Sequence, residues 1–171
     1  MDQTIVFFIF TMLFTLLFGF TFYLMIQNLV GVPFVPSSAK KLLKLLQDLE
    51  LDTEDSLFLD IGSGDGRIVS AASTLSFREA HGFETNPFLL AYSKLVSIGE
   101  KKSKFFWQDM NQANYDDYDV VYAYLTAGAL AKLEPLLTER ERPLTIITHS
   151  FKFPNLEPHS TFGKYYLYRV A

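Results

Sequence analysis

An acidic residue and three glycines between positions 60 and 66 form the pattern with the clearest chemical meaning in this chain. An apolar run, Leu57 to Leu59, leads into Asp60, and glycines follow at alternate positions, Gly62, Gly64 and Gly66. Glycines leave the backbone bare, and ligands of open α/β sheets bind at the carboxyl ends of the strands. The pattern therefore predicts a strand, a turn and a helix that together bind a cofactor.

The spacing of these glycines also restricts the class of cofactor. A dinucleotide-binding turn reads G-x-G-x-x-G, and its third glycine packs a helix against a strand. Here Arg67 occupies that third position. An alternating glycine turn beside an acid favours a cofactor without phosphates, and Ser63 within the turn is included among its candidate ligands. An ordinary glycine-rich connection between strand and helix is the alternative.

Acidic residues also follow the next two predicted strands. Glu84 ends the second strand, where a carboxylate can accept hydrogen bonds from both hydroxyls of a ribose. Asn86 is a further cofactor candidate, although its position favours a helix cap. Asp109 and Met110 follow the third strand, where the carboxylate can accept from an adenine amino group and the thioether can pack on the ring. A solvated surface acid is the alternative for Glu84 and for Asp109.

Three residues at the ends of the fourth and fifth predicted strands, Tyr124, Thr126 and His149, are the candidates for the catalytic chemistry. An aromatic hydroxyl can exclude water and orient a nucleophile. Tyr122 points the same way as Tyr124 on a strand, so a core position is the alternative for one of them, and a structural role is the alternative for His149. The histidines lack metal-like spacing and cysteine is absent, so no metal site is predicted.

Strands alternate with helices along most of the chain. Helices are predicted over Ala39–Leu51, Arg67–Leu75, Pro87–Ile98 and Ala127–Leu137. Strands are predicted over Ser56–Ile61, Ala80–Glu84, Lys104–Gln108, Tyr118–Leu125, Leu144–Phe151, His159–Phe162 and Gly163–Val170. This alternation predicts an α/β fold, with a mostly parallel sheet that helices cover on both faces. The last strands have no long helix between them, which predicts an antiparallel edge at the C-terminal end.

The start of the chain predicts a membrane anchor. No charged residue occurs from Thr4 to Ile26, and a helix over this run would be about 34 Å long, enough for a bilayer core of about 30 Å. A cleaved signal peptide needs a basic start and a short apolar core, which this run lacks. We therefore expect residues 1–30 to form a single-pass anchor and residues 31–171 a catalytic domain. A buried core helix is the alternative.

Basic residues after the apolar run indicate on which side of the membrane the domain lies. Lys40, Lys41 and Lys44 follow the run, and no basic residue precedes it. By the positive-inside rule this places the domain on the cytoplasmic side. The net charge of −4 and the lack of a basic stripe predict no nucleic-acid partner.

The segment LDIGSGDGRIV at 59–69 resembles motif I of the seven-β-strand S-adenosylmethionine methyltransferases, D/E-x-G-x-G-x-G. Further segments narrow the resemblance, namely PFVP at 33–36, GFETNP at 82–87, Tyr124–Leu125, THSF at 148–151 and YYLYR at 165–169. With them, residues 31–171 resemble the small seven-β-strand protein-lysine methyltransferases. This group has archaeal members of broad specificity and membrane-anchored mitochondrial members.

The resemblance implies a Rossmann-like class I methyltransferase sheet that binds S-adenosyl-L-methionine. The residues that would hold this cofactor by likeness are Asp60, Gly62, Gly64, Glu84 and Asp109. Pro36 and Ser37, in the lead-in segment, would close over it. The loop 111–119 departs from the group's pattern and bears on adenine and substrate contacts.

The implied function is transfer of methyl groups to lysine side chains of protein substrates, with membrane-proximal proteins favoured by an anchored enzyme. If the chain is eukaryotic, a mitochondrial membrane is the location that the resemblance implies. A small-molecule or lipid-headgroup methyltransferase with the same cofactor site is the alternative. A non-enzymatic domain that only binds the cofactor is a third interpretation, which an intact glycine turn and Glu84 disfavour.

Overall fold

The computed structural model describes residues 2–30, 38–49, 51, 53–139 and 142–170. The chain divides into two compact units, Met1–Val35 and Pro36–Ala171, and each is described by itself. The lead-in segment with Pro36 and Ser37 lies outside the described residues. The predicted division into an anchor of residues 1–30 and a domain of residues 31–171 stays a prediction.

In the first unit, the described residues form helix α1 over Gln3–Val30. Its segment Gln3–Tyr23 is a candidate membrane span by length and composition. The mean hydropathy is 2.4, and none of the span is buried. Thr11, Thr15 and Thr21 satisfy their hydroxyls within the helix, since each donates to a backbone carbonyl three or four residues earlier at 2.8–2.9 Å. A polar group bonded in this way does not burden an apolar helix with a free donor.

The second unit is built on a sheet of seven strands in the order β3-β2-β1-β4-β5-β7-β6. The strands are β1 (Leu57–Ile61), β2 (Glu79–Glu84), β3 (Ser103–Trp107), β4 (Val120–Ala123), β5 (Leu144–His149), β6 (Ser160–Phe162) and β7 (Tyr165–Val170). The first five strands pair in parallel, and β7 lies antiparallel between β5 and β6. The predicted fold class, with its antiparallel C-terminal edge, is confirmed.

Helices cover both faces of this sheet. They are α2 (Ala39–Asp48), α3 (Arg67–Ala72), α4 (Pro87–Val96) and α5 (Ala127–Thr138), and a 3-10 helix spans Met110–Gln112. Strand residues alternate between two apolar clusters: Leu59 packs with Leu130 and Leu133 of α5, whereas Phe58 packs with Leu42 of α2 and Val69 of α3. Every residue of β1 is buried, as expected of a central parallel strand.

The order of the strands locates the binding edge. The chain moves outward from β1 to β2 and β3, and then returns to the other side of β1 to add β4 and β5. Loops that leave β1 and β4 therefore diverge over opposite faces, which opens a crevice at the carboxyl ends of these strands. Apart from Pro36 and Ser37, which lie outside the described residues, the predicted cofactor and catalytic residues lie at or just after strand ends on this edge.

Three predicted helices were too long at their C-termini. They end at Asp48, Ala72 and Val96 rather than at positions 51, 75 and 98. A serine side chain contributes to the end of α3, because Ser73 Oγ donates to the carbonyl of Ser70 at 2.8 Å and competes with the helical pattern.

The fourth and fifth strands are also shorter than predicted. Strand β4 begins only at Val120, since the amide of Tyr118 donates to Tyr115 O at 3.1 Å in a turn. Strand β5 ends at His149, because Ser150 has a φ of +70° and cannot continue the strand.

Close packing between β2 and the glycine turn gives a first prediction. A Cβ at Gly82 of β2 would lie 2.6 Å from Ser63 Oγ and 2.9 Å from Phe105 Cδ1. Gly82→Ala should therefore lower the free energy of unfolding by about 1–3 kcal/mol. The control is Gly128→Ala on α5, where nothing lies within 4 Å and a change from neutral to about 1 kcal/mol stabilising is expected. Urea titration of the full chain in detergent measures both, and equal midpoints for the two variants would contradict the packing argument.

Candidate active site

The turn between β1 and α3 is held against β2 by backbone hydrogen bonds. The amides of Gly62 and Ser63 both donate to the carbonyl of Phe83, at 2.9 and 3.0 Å. Gly62, Gly64 and Gly66 have φ values of +75°, +56° and +82°, which residues with a side chain rarely adopt. The alternating glycines are therefore required by the turn itself, and because they carry no side chains a ligand can approach the backbone of the turn closely.

Glu84, at the end of β2, connects this turn to the next helix. Its Oε2 accepts from the amide of Gly64 at 2.8 Å, and its Oε1 accepts from the amide of Asn86 at 2.7 Å. Asn86 in turn caps α4, since its Oδ1 accepts from Phe88 N at 3.0 Å and Leu89 N at 3.3 Å. The Glu84 carboxylate is thus fixed at both oxygens, and each oxygen retains a lone pair for a further donor.

A second carboxylate is buried beside Glu84. Asp60, at the carboxyl end of β1, is 3% exposed, and Glu84 is 8% exposed. Burial raises the pKa of Asp60 well above its ordinary value, and the neighbouring charges of Glu84 and Asp65 raise it further. A buried acid whose ionisation is opposed by burial and by a neighbouring carboxylate, as for Asp60, is typical of a functional site.

Ser63 adds an unsatisfied group to the same turn. Its Oγ is buried and has no hydrogen-bond partner in the part of the chain that the structure describes. A buried hydroxyl without a partner costs about 1–3 kcal/mol. An acceptor on a bound ligand would remove this cost, so the orphaned hydroxyl is consistent with the prediction that Ser63 contacts a cofactor.

Asp109 and Met110 lie just beyond the carboxyl end of β3. Asp109 caps the 3-10 helix, since its Oδ1 accepts from the amide of Asn111 at 2.8 Å, and it remains exposed. The carbonyl of Met110 accepts from the hydroxyl of Tyr115 at 2.6 Å. The exposed carboxylate is available to a ligand on this edge, and its predicted contact with adenine stays a prediction.

An aromatic cluster occupies the carboxyl ends of β4 and β5. The ring centroids of Tyr124 and His149 are 4.3 Å apart, and His149 stacks on Tyr165 at 4.5 Å with an angle of 11° between the rings. The hydroxyl of Tyr122 lies 3.4 Å from His149 Nδ1. Two of the three predicted catalytic residues, Tyr124 and His149, are therefore in contact. Tyr122 is a core residue, 1% exposed.

The environment of His149 favours the neutral form of its ring. Burial lowers the pKa of His149, and the positive charges of Lys164 and Lys41 lower it further. The residue that follows, Ser150, has a φ of +70°, and its amide donates to Lys164 O at 2.8 Å. A non-glycine residue in this conformation is strained, and the strained turn fixes the direction in which His149 leaves β5.

Tyr165 is a site residue that the sequence analysis did not identify. It lies opposite His149 in the antiparallel register of β5 and β7. Its hydroxyl is buried and has no partner among the residues described here. Burial raises the pKa of Tyr165, with a further contribution from Tyr124. The signal would have been the pairing register of β7, which a single sequence does not specify.

Thr126 caps a helix and His81 is bonded through both ring nitrogens, and the predicted catalytic role of Thr126 stays a prediction. Thr126, the third predicted catalytic residue, is exposed, and its Oγ1 accepts from Ala129 N at 3.3 Å as the cap of α5. His81 bonds through its two nitrogens to Tyr118 Oη at 2.9 Å and Glu79 Oε2 at 2.8 Å. Within the described ranges, no group of three or more His, Cys, Asp or Glu side chains could hold a metal ion.

The sheet order, the glycine turn and the acid that ends β2 define the class of Rossmann-like methyltransferases. An RNA methyltransferase from Salinibacter ruber, solved with S-adenosyl-L-homocysteine, has a TM-score of 0.67 and 27% identity over 80% of this chain and 92% of that one. A methyltransferase from Geobacter sulfurreducens shares the fold, with a TM-score of 0.54 and 21% identity over 70% of this chain and 52% of its own.

The chain belongs to the family of the ANTKMT methyltransferase domain, whose sequence model matches residues 60–160. It is 33% identical over 137 residues to the ATP synthase C-subunit lysine N-methyltransferase of Xenopus laevis, covering 78% of this chain and 59% of that protein. It is 30% identical over 138 residues to the adenine nucleotide translocase lysine N-methyltransferase of Mus musculus, and these residues cover 78% of this chain and 59% of that protein. The predicted family is thus confirmed.

An archaeal relative belongs to the same group. The protein-lysine N-methyltransferase of Saccharolobus islandicus is 28% identical over 137 residues, which cover 74% of this chain and 81% of that protein. By contrast, the chain spans 59%, 63% and 58% of the frog, rat and human methyltransferases named for ATP synthase.

The buried acid at the end of β1 gives a prediction on stability. Because the pKa of Asp60 is raised in the folded state, that state binds more protons than the unfolded chain above the ordinary value of 3.8. The free energy of unfolding therefore falls as pH rises through this window. Asp60→Asn should be more stable than the wild type at neutral pH, and the difference should shrink as pH approaches 3.8.

Urea titrations across this pH range measure the difference. Asp48→Asn, at an exposed acid on α2, is the matched control. A difference that does not change with pH would contradict the assignment to Asp60.

Proposed function

We propose that this chain is a methyltransferase that moves a methyl group from S-adenosyl-L-methionine to lysine side chains of protein substrates. The observation that carries the proposal is the glycine turn bonded to buried Glu84 beside buried Asp60, in a member of this methyltransferase family. The frog, mouse and archaeal relatives are all named lysine methyltransferases, which supports lysine as the acceptor.

The residues at the turn fit this cofactor. The cofactor has no phosphate, and its ribose offers two hydroxyl donors to a carboxylate whose position is already fixed, that of Glu84. The positive charge of its sulfonium would favour ionisation of Asp60, which burial opposes. When bound, the cofactor supplies an electrophilic methyl group. The residues proposed to hold it are Pro36, Ser37, Asp60, Gly62, Ser63, Gly64, Gly66, Glu84, Asp109 and Met110, with Asn86 as the helix cap.

The aromatic cluster is proposed to receive the acceptor lysine. A free lysine has a pKa of about 10.4, so presenting it neutral at pH 7 costs about 4–5 kcal/mol. Tyr124, His149 and Tyr165 offer a partly buried wall, and burial lowers the pKa of an amine. Because His149 is itself held neutral, it adds no opposing positive charge. Proximity and alignment of the two reactants then provide most of the rate enhancement, and no strong base is needed.

Protein acceptors are favoured over the other classes. The net charge of −4 does not suit a nucleic-acid substrate. The Salinibacter protein is named an RNA methyltransferase, but that substrate is a property of the Salinibacter protein. A small-molecule or lipid-headgroup acceptor would use the same cofactor site and remains the second candidate.

We also propose that α1 anchors the chain as a single pass, with the domain on the cytoplasmic side. Support comes from the candidate span and from Lys40, Lys41 and Lys44, which follow it. Tethering raises the effective concentration of membrane-proximal substrates. A mitochondrial membrane is the proposed location if the chain is eukaryotic.

The experiment that tests the function combines binding with labelling. The full chain in detergent should bind S-adenosyl-L-homocysteine and transfer label from methyl-labelled S-adenosyl-L-methionine to lysine residues of a membrane-protein extract, identified by mass spectrometry. Glu84→Gln keeps the shape but loses charge-assisted hydrogen bonds worth about 1.5–3 kcal/mol, so binding should weaken roughly 10- to 100-fold.

The matched control is Glu134→Gln. Glu134 is also a buried glutamate, but it lies on α5 and accepts from the amide of Asn155 at 3.2 Å. This variant should change stability and leave cofactor affinity unchanged. Label found only in lipids or small molecules would promote the second candidate, and a wild-type chain that binds no cofactor would overturn the proposal.

A change at His149 tests the acceptor wall. His149→Phe keeps the stacked ring and removes the contact of Nδ1 with Tyr122 Oη. Loss of one hydrogen bond of about 1 kcal/mol should slow methyl transfer roughly fivefold, with unchanged affinity for S-adenosyl-L-homocysteine. In the wild type the rate should also fall once acid pH protonates His149, and this contribution should be absent from the variant. Identical pH–rate profiles for the two proteins would exclude His149 from the acceptor site.

A further inference from the structure

Helix α4 carries an apolar surface that the fold leaves exposed. The helix packs on the domain through Leu90 and Ser93, which are buried. Its other side bears large apolar residues at helical spacing, which places them along one stripe. These residues and their exposed fractions are Phe88 50%, Tyr92 53%, Leu95 65% and Val96 50%, followed in the next turn by Ile98 77%.

The single tryptophan extends this surface. Trp107, at the end of the edge strand β3, is 74% exposed. Its Nε1 donates to the carbonyl of Thr85 at 3.2 Å, two residues before α4 begins. We call the surface formed by Phe88, Tyr92, Leu95, Val96, Ile98 and Trp107 the α4 face. Apolar patches of this kind on a soluble surface mark an interaction site.

The charges around the α4 face are mainly positive. Lys94, Lys101 and Lys102 are exposed, and the only acid between positions 87 and 102 is Glu100, which accepts from Ser103 Oγ at 2.7 Å. Exposed aromatic and aliphatic side chains surrounded by lysines are typical of surfaces that lie in the headgroup region of a bilayer. Each lysine there is attracted by anionic lipids.

The start of the domain lies beside the α4 face. A cavity of about 400 Å³ is lined by Ser38 and Ala39 at the start of α2 together with Tyr92 and Val96 of α4. The chain from Val30 to Ser38 can extend no more than about 29 Å, at about 3.6 Å per residue. A domain attached to a membrane-spanning α1 would therefore keep this face within reach of the lipid surface.

We propose that the α4 face docks on the lipid surface of the membrane. Its apolar side chains enter the headgroup region, and Lys94, Lys101 and Lys102 contact anionic headgroups. The proposal rests on the proposed membrane anchor. Trp107 precedes Asp109 by two residues at the binding edge of the sheet, so docking would hold that edge at the water–lipid boundary. The acceptor class that this orientation favours is a lysine at headgroup level on a membrane protein.

The fluorescence of Trp107 tests the proposal, because it is the only tryptophan in the chain. The full chain is reconstituted in vesicles of phosphatidylcholine, with or without phosphatidylglycerol, that carry bromine near the headgroup end of the acyl chains. We expect a blue-shifted emission that brominated lipid quenches and aqueous acrylamide does not. Both effects should be larger with phosphatidylglycerol and should weaken at high salt.

The double variant Tyr92→Ser, Leu95→Ser should lose lipid quenching and gain quenching by acrylamide. The control is Leu136→Ser, at an exposed leucine on α5 away from the α4 face. S-Adenosyl-L-homocysteine affinity, measured on the same samples, shows whether the domain is folded, and alkaline extraction shows whether α1 holds the chain in the bilayer. The two quenching measurements report docking, the S-adenosyl-L-homocysteine affinity reports cofactor binding, and alkaline extraction reports the anchor. Failure of the anchor or of cofactor binding is therefore separable from failure of docking.

Two outcomes would overturn the proposal. Trp107 that stays open to acrylamide in both lipid mixtures would show that the α4 face remains in water. Trp107 that is shielded from acrylamide but not quenched by brominated lipid would show that protein covers the face, either a second copy or another part of the chain.

Discussion

The two hydrogen bonds of the Glu84 carboxylate are the interaction on which the site depends. One oxygen holds the amide of Gly64 and the other holds the amide of Asn86, so one side chain ties the β1–α3 turn to the start of α4. Hydrogen bonds to a charged group contribute about 1.5–3 kcal/mol each. Burying a charged group is costly unless it is hydrogen-bonded, and the two amides supply those bonds to buried Glu84.

This connection explains why the backbone around the turn approaches β2 so closely. The carbonyl of Phe83 accepts from two amides of the turn, and Gly82 leaves space for Ser63 that a methyl group would fill. Because Asn86 caps α4, the same contacts also set where that helix begins and which side of it faces outward. The cofactor site and the α4 face therefore share a single structural support.

Much of the site could be predicted from local sequence because its geometry is local. The positive φ angles of Gly62 and Gly64 and the cap at Asn86 depend on residues within a few positions. Tyr165 could not be predicted, because its contact with His149 depends on the register of an antiparallel pair. The exposure of the α4 face was also missed, since apolar residues at helical spacing predict burial and only the fold shows which side is covered.

The proposed methyl transfer depends on how precisely the acceptor lysine is positioned rather than on a strong base. Neutralising the acceptor lysine costs about 4–5 kcal/mol at pH 7, and burial lowers the pKa of His149, which makes it a weaker base for removing that proton. An effective concentration raised by a tether and an orientation fixed by a docked helix face would act on the same term, the entropy of bringing two reactants together. A short domain with few polar groups near the acceptor can then be sufficient, provided that its surface restricts where the acceptor lies.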